Sequence, residues 1–419
     1  MNLYVVYSKI EKKESTEKRV SGIVQKVVES NPQITMRGYF NKIDAILNEQ
    51  VQNGNFEKAS VIVNASGGTE ALIEFIVKSS KKPILILANS KKNSFASSLE
   101  AYAYLKENYF VKVFYSDENE EIVSTVNKFF QAAISLDKIN SAHFCSIGNP
   151  SDWLLTSKGF SVFGHFDTKF TQLEIGELIS EVEKISEEKT KEVIDEWKSS
   201  FYEILVEDKS LIDSAKVYLA LKQIVTRNKI DVLSVRCFDL LAHNYTACMG
   251  LSIFNDEGIT AGCEGDIPTT FTMMMAHHLS GQAVWMANPS SINKEKNQIT
   301  FAHCSVPRTF LSNVKEAGLT THMESGLSTA IRGPLHKTKV TVMRISNDFD
   351  KIAVVRGKIT ETDMKDAHLC RTQAVIEIDA DVEKWVETTF GNHHVIVYGD
   401  MMPELIYFCD FANIELVEV

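Results

Sequence analysis

The chain has 419 residues, 44% of them apolar, and a formal net charge of -11 at pH 7, enough for two or three domains with cores of their own. Its acidic side chains are spread through helical segments and no Lys/Arg cluster stands out, which excludes non-specific binding to nucleic-acid phosphates and points to a small substrate or a protein partner. No apolar run reaches the roughly 18 residues of a membrane span, and the start, MNLYVVYSKIEKKE, has no signal-peptide pattern, so the expectation is a cytoplasmic protein without membrane contact.

Residues 1–165 alternate short β-rich runs with helical stretches: LYVVYS, VIVNAS (61–66), PILILAN (83–89), VKVFYS (111–116) and AHFCSI (142–147). Runs this uniformly apolar belong to strands covered on both faces, so the segment reads as an open parallel sheet with crossover helices. VIVNAS runs into GGTE, and PILILAN into SKKNSFASSLEAYAYLKE, where Asn93 or Ser94 caps a helix. Both junctions fall at carboxyl ends of strands, where open α/β sheets bind ligands. The Gly67-Gly68 pair lacks the lysine and the spacing of a nucleotide loop.

From 171 to 228 the chain is charged and helical, with Glu and Lys spaced as i,i+4 pairs on a solvated face. The strand DVLSVRCF follows, and then AGCEGDIPTTFTMMMAHHLSG (261–281), which reads as a strand over Ile259–Cys263 running into a helix. Pro268 suits the first turn, Phe271, Met274, Met275 and Leu279 form one apolar stripe, and Gly281 ends the helix. With the strand QAVWMAN (282–288), this makes a second α/β domain, 166–295. Beyond 296, β-branched alternation broken by turn residues (KTKVTVMRIS, KIAVVRGKIT, QAVIEID, HHVIVYGD) predicts a mainly antiparallel β domain to 419.

Two carboxylates stand where the strand meets the helix. Asp266, just before the helix, is placed to cap it and compensate its dipole. Glu264 lies at the carboxyl end of the strand, where an unpaired buried charge is costly. Further ligand-type residues sit at strand ends: Asn288, His303, His322, Glu324 and the His393-His394 pair. Oxygen donors with a few imidazoles suit a divalent ion of the Mn or Mg type more than zinc. The seven cysteines show no CxxC spacing, which gives neither a disulfide framework nor a zinc finger. Cys304 beside His303 raises the idea of an activated thiol, but neighbours on a strand face opposite ways.

The motifs GITAGCEGD (258–266), VWMANP (284–289), AHC (302–304) and GNHH (391–394) together resemble the L-fucose isomerase and L-arabinose isomerase superfamily, particularly its shorter fucose-isomerase-like members. GGTE (67–70), NSFASSLEA (93–101), NPSDWLL (149–155) and CRTQ (370–373) extend the resemblance over nearly the whole chain. It implies two open parallel-sheet α/β domains followed by a β domain, a homo-oligomer (trimer or hexamer), and Mn²⁺-dependent interconversion of an aldose and a ketose. By motif position it implies a metal site of Glu264, Asn288 where a second acid is expected, His303, and one of His393 and His394. An amide at Asn288 can coordinate, but it brings no charge and accepts no proton.

On this reading Glu264 is the acid/base on an ene-diolate path, with Asp266, Glu324 or a metal-bound water as its partner. Asn93, Ser94, His322, Glu324 and Arg371 are the expected sugar contacts. The rival is a regulatory sugar-binding relative that has lost an acidic ligand.

Overall fold

The computed structural model describes residues 1–54, 58–80, 82–157, 163 and 166–419. They form two compact units, one of Met1–Ile134 with Ile406–Phe411, the other of Ser135–Leu405 with Ala412–Val419.

The first unit is built on five parallel strands, β1 (Asn2–Val6), β2 (Thr35–Phe40), β3 (Ser60–Asn64), β4 (Ile84–Ala88) and β5 (Val111–Tyr115), in the order β2-β1-β3-β4-β5. Every residue of β1, β3 and β4 is buried, as helices on both faces require. Leu72, Ile73, Ile76 and Val77 of the helix Glu70–Ser79 pack with Ile62 and Ile86 of the sheet. The helix Ser94–Leu105 buries Ser94, Ser97, Ser98 and Ala101, and the Ser94 hydroxyl donates to the Asn64 carbonyl at 2.6 Å. The small side chains on that face hold the helix close to the end of β3.

The second unit holds another parallel sheet: β6 (His143–Ile147), β7 (Lys169–Leu173), β9 (Val232–Val235) and β10 (Thr260–Gly262), in the order β10-β9-β6-β7. The short β8 (Glu203–Ile204) pairs instead with β13 (Gly318–Thr320), beside β14 (Ala330–Arg332). The run at 142–147 was expected to close the first sheet. It lies inside the second, bonded to β9 on one side and β7 on the other; a strand buried on both faces reads the same in either sheet.

Six strands form an antiparallel barrel: β11 (Trp285–Asn293), β12 (Gln298–His303), β15 (Lys339–Ile345), β16 (Lys351–Thr362), β17 (Thr372–Ile378) and β18 (His394–Tyr398). β15 pairs with both β18 and β16 and so closes the ring, and β19 (Glu415–Glu418) adds a parallel partner to β16. Closure leaves those six strands no free edge. The run at 282–288, expected to finish the second α/β sheet, supplies the start of β11, which pairs with β12 and β18.

The helix Ile267–Ser280 joins the two layers, packing on β9 and β10 and also on β15 and β18. Contact on both sides explains why the burial extends past the apolar stripe to every residue from Ile267 to Ala276. Its approach to β10 depends on Gly262, where a Cβ would run into the Thr270 side chain.

Candidate metal centre

The expected strand, turn and helix are present at 259–281, with β10 one residue shorter at each end than the sequence reading. After β10 two successive residues, Glu264 (φ 61°) and Gly265 (φ 68°), adopt left-handed backbone. A non-glycine residue held there costs of order 1–3 kcal/mol and commonly marks a functional site. The turn is pinned by the Gly265 N–H donating to the Val235 carbonyl (3.0 Å) and the Ser151 N–H donating to the Glu264 carbonyl (2.9 Å). A side chain at Gly265 would strike the Asn149 carbonyl. This geometry directs the buried Glu264 carboxylate toward the end of the barrel, with Oε1 3.4 Å from His393 Nε2. Oε2 accepts a 2.6 Å hydrogen bond from the Trp153 indole.

Glu264, His303 and His393, all buried, can bring one ligand atom each within 4.8 Å of one another. The rings of His303 and His393 lie 5.6 Å apart. His303 Nδ1 is 2.7 Å from Ser305 Oγ and accepts from the Ser305 N–H at 3.3 Å, which orients the ring and leaves Nε2 as its second nitrogen. His393 Nδ1 is 2.9 Å from Asp266 Oδ2, while its Nε2 is buried and makes no hydrogen bond. A buried nitrogen with no hydrogen bond, a facing carboxylate and a second imidazole fit a divalent first-row cation, and three protein donors leave positions open for substrate oxygens.

Asp266 caps the helix, accepting from the Thr269 N–H at 3.1 Å, as expected. The rest of its surroundings were not legible. Its oxygens also accept from the Ser157 hydroxyl (3.0 Å), the Thr269 hydroxyl (2.9 Å) and the Arg344 guanidinium (3.0 Å). Arg344, 1% exposed on β15, also donates to the His393 carbonyl at 2.8 Å. Gly391 of the GNHH motif lies against it, with no room for a Cβ. Asp266 therefore faces a cation, a histidine and a helix end. It is a carboxylate behind a candidate ligand histidine, an arrangement that fixes the ring and raises its basicity.

The charges follow this layout. Burial would raise the Asp266 pKa, but Arg344 and His393 hold it far below the carboxylate range. For Glu264 too burial is outweighed, by His393, Trp153 and His303, and its pKa is lowered. Burial would lower His393, but the contacts with Asp266 and Glu264 carry it up to about 9. His303 is pushed down to about 4 by burial and then by the charge of His393. In the absence of an ion, His393 is thus an imidazolium between two carboxylates, a proton standing where a cation would bind.

His394 is placed differently from its neighbour. Nδ1 lies 3.0 Å from the Asn392 carbonyl and Nε2 3.0 Å from the Thr389 hydroxyl, with the ring 4.9 Å from that of Trp385. Burial and Arg344 lower its pKa to about 3, so it is a neutral core histidine with both nitrogens engaged. Asn288 pairs with Ala302 in the β11–β12 ladder, one residue out of phase with His303, and its Oδ1 accepts from Asn392. Those contacts direct Asn288 away from the face that carries His303.

His322 Nε2 lies 3.1 Å from Glu324, and its ring is 5.7 Å from Phe238, which packs edge-on against Trp153 at 4.9 Å. Arg371 Nε donates to the Thr321 carbonyl at 2.7 Å. Cys304 is buried with Cys248 and Ala330. Asn93 and Ser94 belong to the first unit, where Asn93 lines a 670 Å³ cavity with Gly67, Gly68 and Lys92, at the strand ends where the sheet order reverses.

Sequence reasoning missed Arg344 and Trp153. The signal for Arg344 was an arginine within the apolar alternation KVTVMRI, and Trp153 stood inside a quoted motif without a role.

No family model matches the chain. It is 23% identical over 362 residues to the sulfoquinovose isomerase of Clostridium sp. (strain MSTE9), an alignment that covers 80% of this chain and 78% of that protein. It is 24% identical over 219 residues to the sulfoquinovose isomerase of Priestia aryabhattai, covering 50% and 48%. With the sulfoquinovose isomerase of Alkalicoccus urumqiensis the identity is 18% over 340 residues, covering 79% and 75%.

Proposed function

We propose that the chain is an aldose–ketose sugar isomerase that works with a divalent cation held by Glu264, His303 and His393. Sulfoquinovose, the sugar for which the similar proteins are named, is the first substrate to assay. The observation that carries the reading is the buried His393 Nε2 facing Glu264 with His303 in reach, in a chain similar to isomerases over four-fifths of its length.

Isomerisation moves a proton between adjacent carbons while charge grows on two neighbouring oxygens. A bound cation of the Mn²⁺ type supplies Lewis-acid stabilisation of that ene-diolate charge. Glu264, kept ionised despite burial, takes the proton from one carbon and returns it to the next. The Trp153 indole donates to Oε2 and fixes the orientation of the carboxylate. Asp266, whose oxygens are occupied by Arg344, Ser157, Thr269 and His393, positions His393 and is set aside as a proton carrier. We assign that part to the pair His322 and Glu324, 3.1 Å apart. A homo-oligomer accompanies this reading through the superfamily resemblance.

The test is Glu264→Gln, assayed with Mn²⁺ on sulfoquinovose and a panel of aldoses and ketoses. Turnover should fall by about 10²–10⁴-fold, the usual worth of a general acid–base, with folding intact. Unchanged turnover would remove the central residue. Wild-type protein that binds sugar and cation without turning sugar over would establish the regulatory alternative.

A further inference from the structure

Cys237 and Cys263 take no part in the chemistry above, yet their sulfurs are 2.8 Å apart. Both are buried, at 6% and 4% exposure. Cys237 follows β9 and Cys263 follows β10, two strands paired in parallel register, so both thiols are delivered to one place by the sheet itself. Cys263 directly precedes Glu264, and its N–H points at the Met286 sulfur of β11 at 3.4 Å. The two sulfurs face each other across the turn that carries the proposed ligand. We propose that Cys237 and Cys263 are a modification site, a dithiol that a small peroxide converts to a disulfide and a thiol reductant restores.

The chemistry balances with hydrogen peroxide as the oxidant. One thiol attacks a peroxide oxygen and gives up its proton; the O–O bond breaks, that proton leaves with the departing oxygen as water, and a sulfenic acid remains. The second sulfur attacks the first, the S–O bond breaks, and a second water leaves. Two thiols lose two hydrogens and two electrons, and one peroxide becomes two waters. The second step is favoured here because its partner is already in contact. Burial excludes bulky reagents, so the pair is open only to the smallest oxidants. Cys248, Cys304 and Cys370 gather around Ala330, with Cys248 near enough to interact with both Cys237 and Cys263, and they are the competing thiols in the test. The link would fasten the ends of β9 and β10 together beside Glu264. The inference does not depend on the isomerase reading.

The experiment treats full-length protein with hydrogen peroxide or with dithiothreitol, denatures it in N-ethylmaleimide, and maps the cysteines by peptide mass spectrometry. After peroxide, the peptides bearing Cys237 and Cys263 should appear joined, two hydrogens lighter than the pair and unalkylated, with full reversal by dithiothreitol. In Cys237→Ser the linked species should vanish and Cys263 should be found alkylated or as an oxyacid. Full alkylation of both residues in folded wild-type protein after peroxide would overturn the proposal. So would linkage of either to Cys248, Cys304 or Cys370 in preference to each other. Neither readout requires catalytic activity, so a failed isomerase assay leaves the test intact.

Discussion

Replacing Asp266 by Asn separates its electrostatic role from its shape. Asn is as good a helix cap as Asp, so the Thr269 contact survives, while the charge opposite Arg344 and behind His393 is lost. The Arg344–Asp266 ion pair is 3.0 Å long with side chains 1% and 0% exposed, and removing one partner of such a pair leaves a buried charge that costs about 3–5 kcal/mol. The same change removes the carboxylate behind His393, for which metal affinity falls by about 10–100-fold. All four tryptophans (Trp153, Trp197, Trp285, Trp385) lie in the second unit, so urea unfolding followed by tryptophan fluorescence reports the unit that holds the site. Adding Arg344→Met to Asp266→Asn should recover part of the stability, because no uncompensated charge remains, without recovering Mn²⁺ affinity. A stability loss under about 1 kcal/mol, the scale of an exposed ion pair, together with unchanged Mn²⁺ affinity, would refute this account of the pair.

Three further outcomes follow from the same geometry. His393 has a folded pKa of about 9, above the ordinary value near 6.5; its stabilising contribution to the metal-free protein is full below that ordinary value and is lost as pH rises through about 9. Since a ligating imidazole must be neutral, Mn²⁺ affinity should rise with pH up to about 9 with release of a proton, measurable by calorimetry in buffers of different ionisation enthalpy. His393→Gln should abolish Mn²⁺ binding while His394→Gln leaves it within a few fold, as equilibrium dialysis would show; equal losses would contradict the placement of the two rings. Gly262→Ala forces a methyl into Thr270 and should lower stability by about 1–3 kcal/mol, the usual cost of overpacking, in the same urea assay.

Much of this architecture was legible because local chemistry and tertiary position coincide. Pro268, Asp266 and Gly281 mark the helix ends by requirements of the backbone alone, and β1, β3 and β4 are apolar at nearly every position because both faces are covered. Sheet membership was less accessible. β6 and the first three residues of β11 carry the same buried pattern in either assignment, and only their hydrogen-bond partners decide. Motif order singles out Glu264, His303 and the GNHH segment, which the fold brings close together, but the choice between His393 and His394 rests on which ring nitrogens the fold engages, and spacing does not encode that. Asp266 illustrates the same limit. Its capping role is local and was read correctly, while Arg344, distant in sequence, turns it from a candidate acid into a fixed counter-charge.

The most direct test of the metal centre is a crystal of the protein soaked in Mn²⁺, with anomalous diffraction measured for the metal. A single strong peak at bonding distance from Glu264, His393 Nε2 and His303 Nε2, absent in His393→Gln, is the predicted result. No peak between those three side chains at saturating Mn²⁺, in protein that still isomerises its sugar, would contradict it.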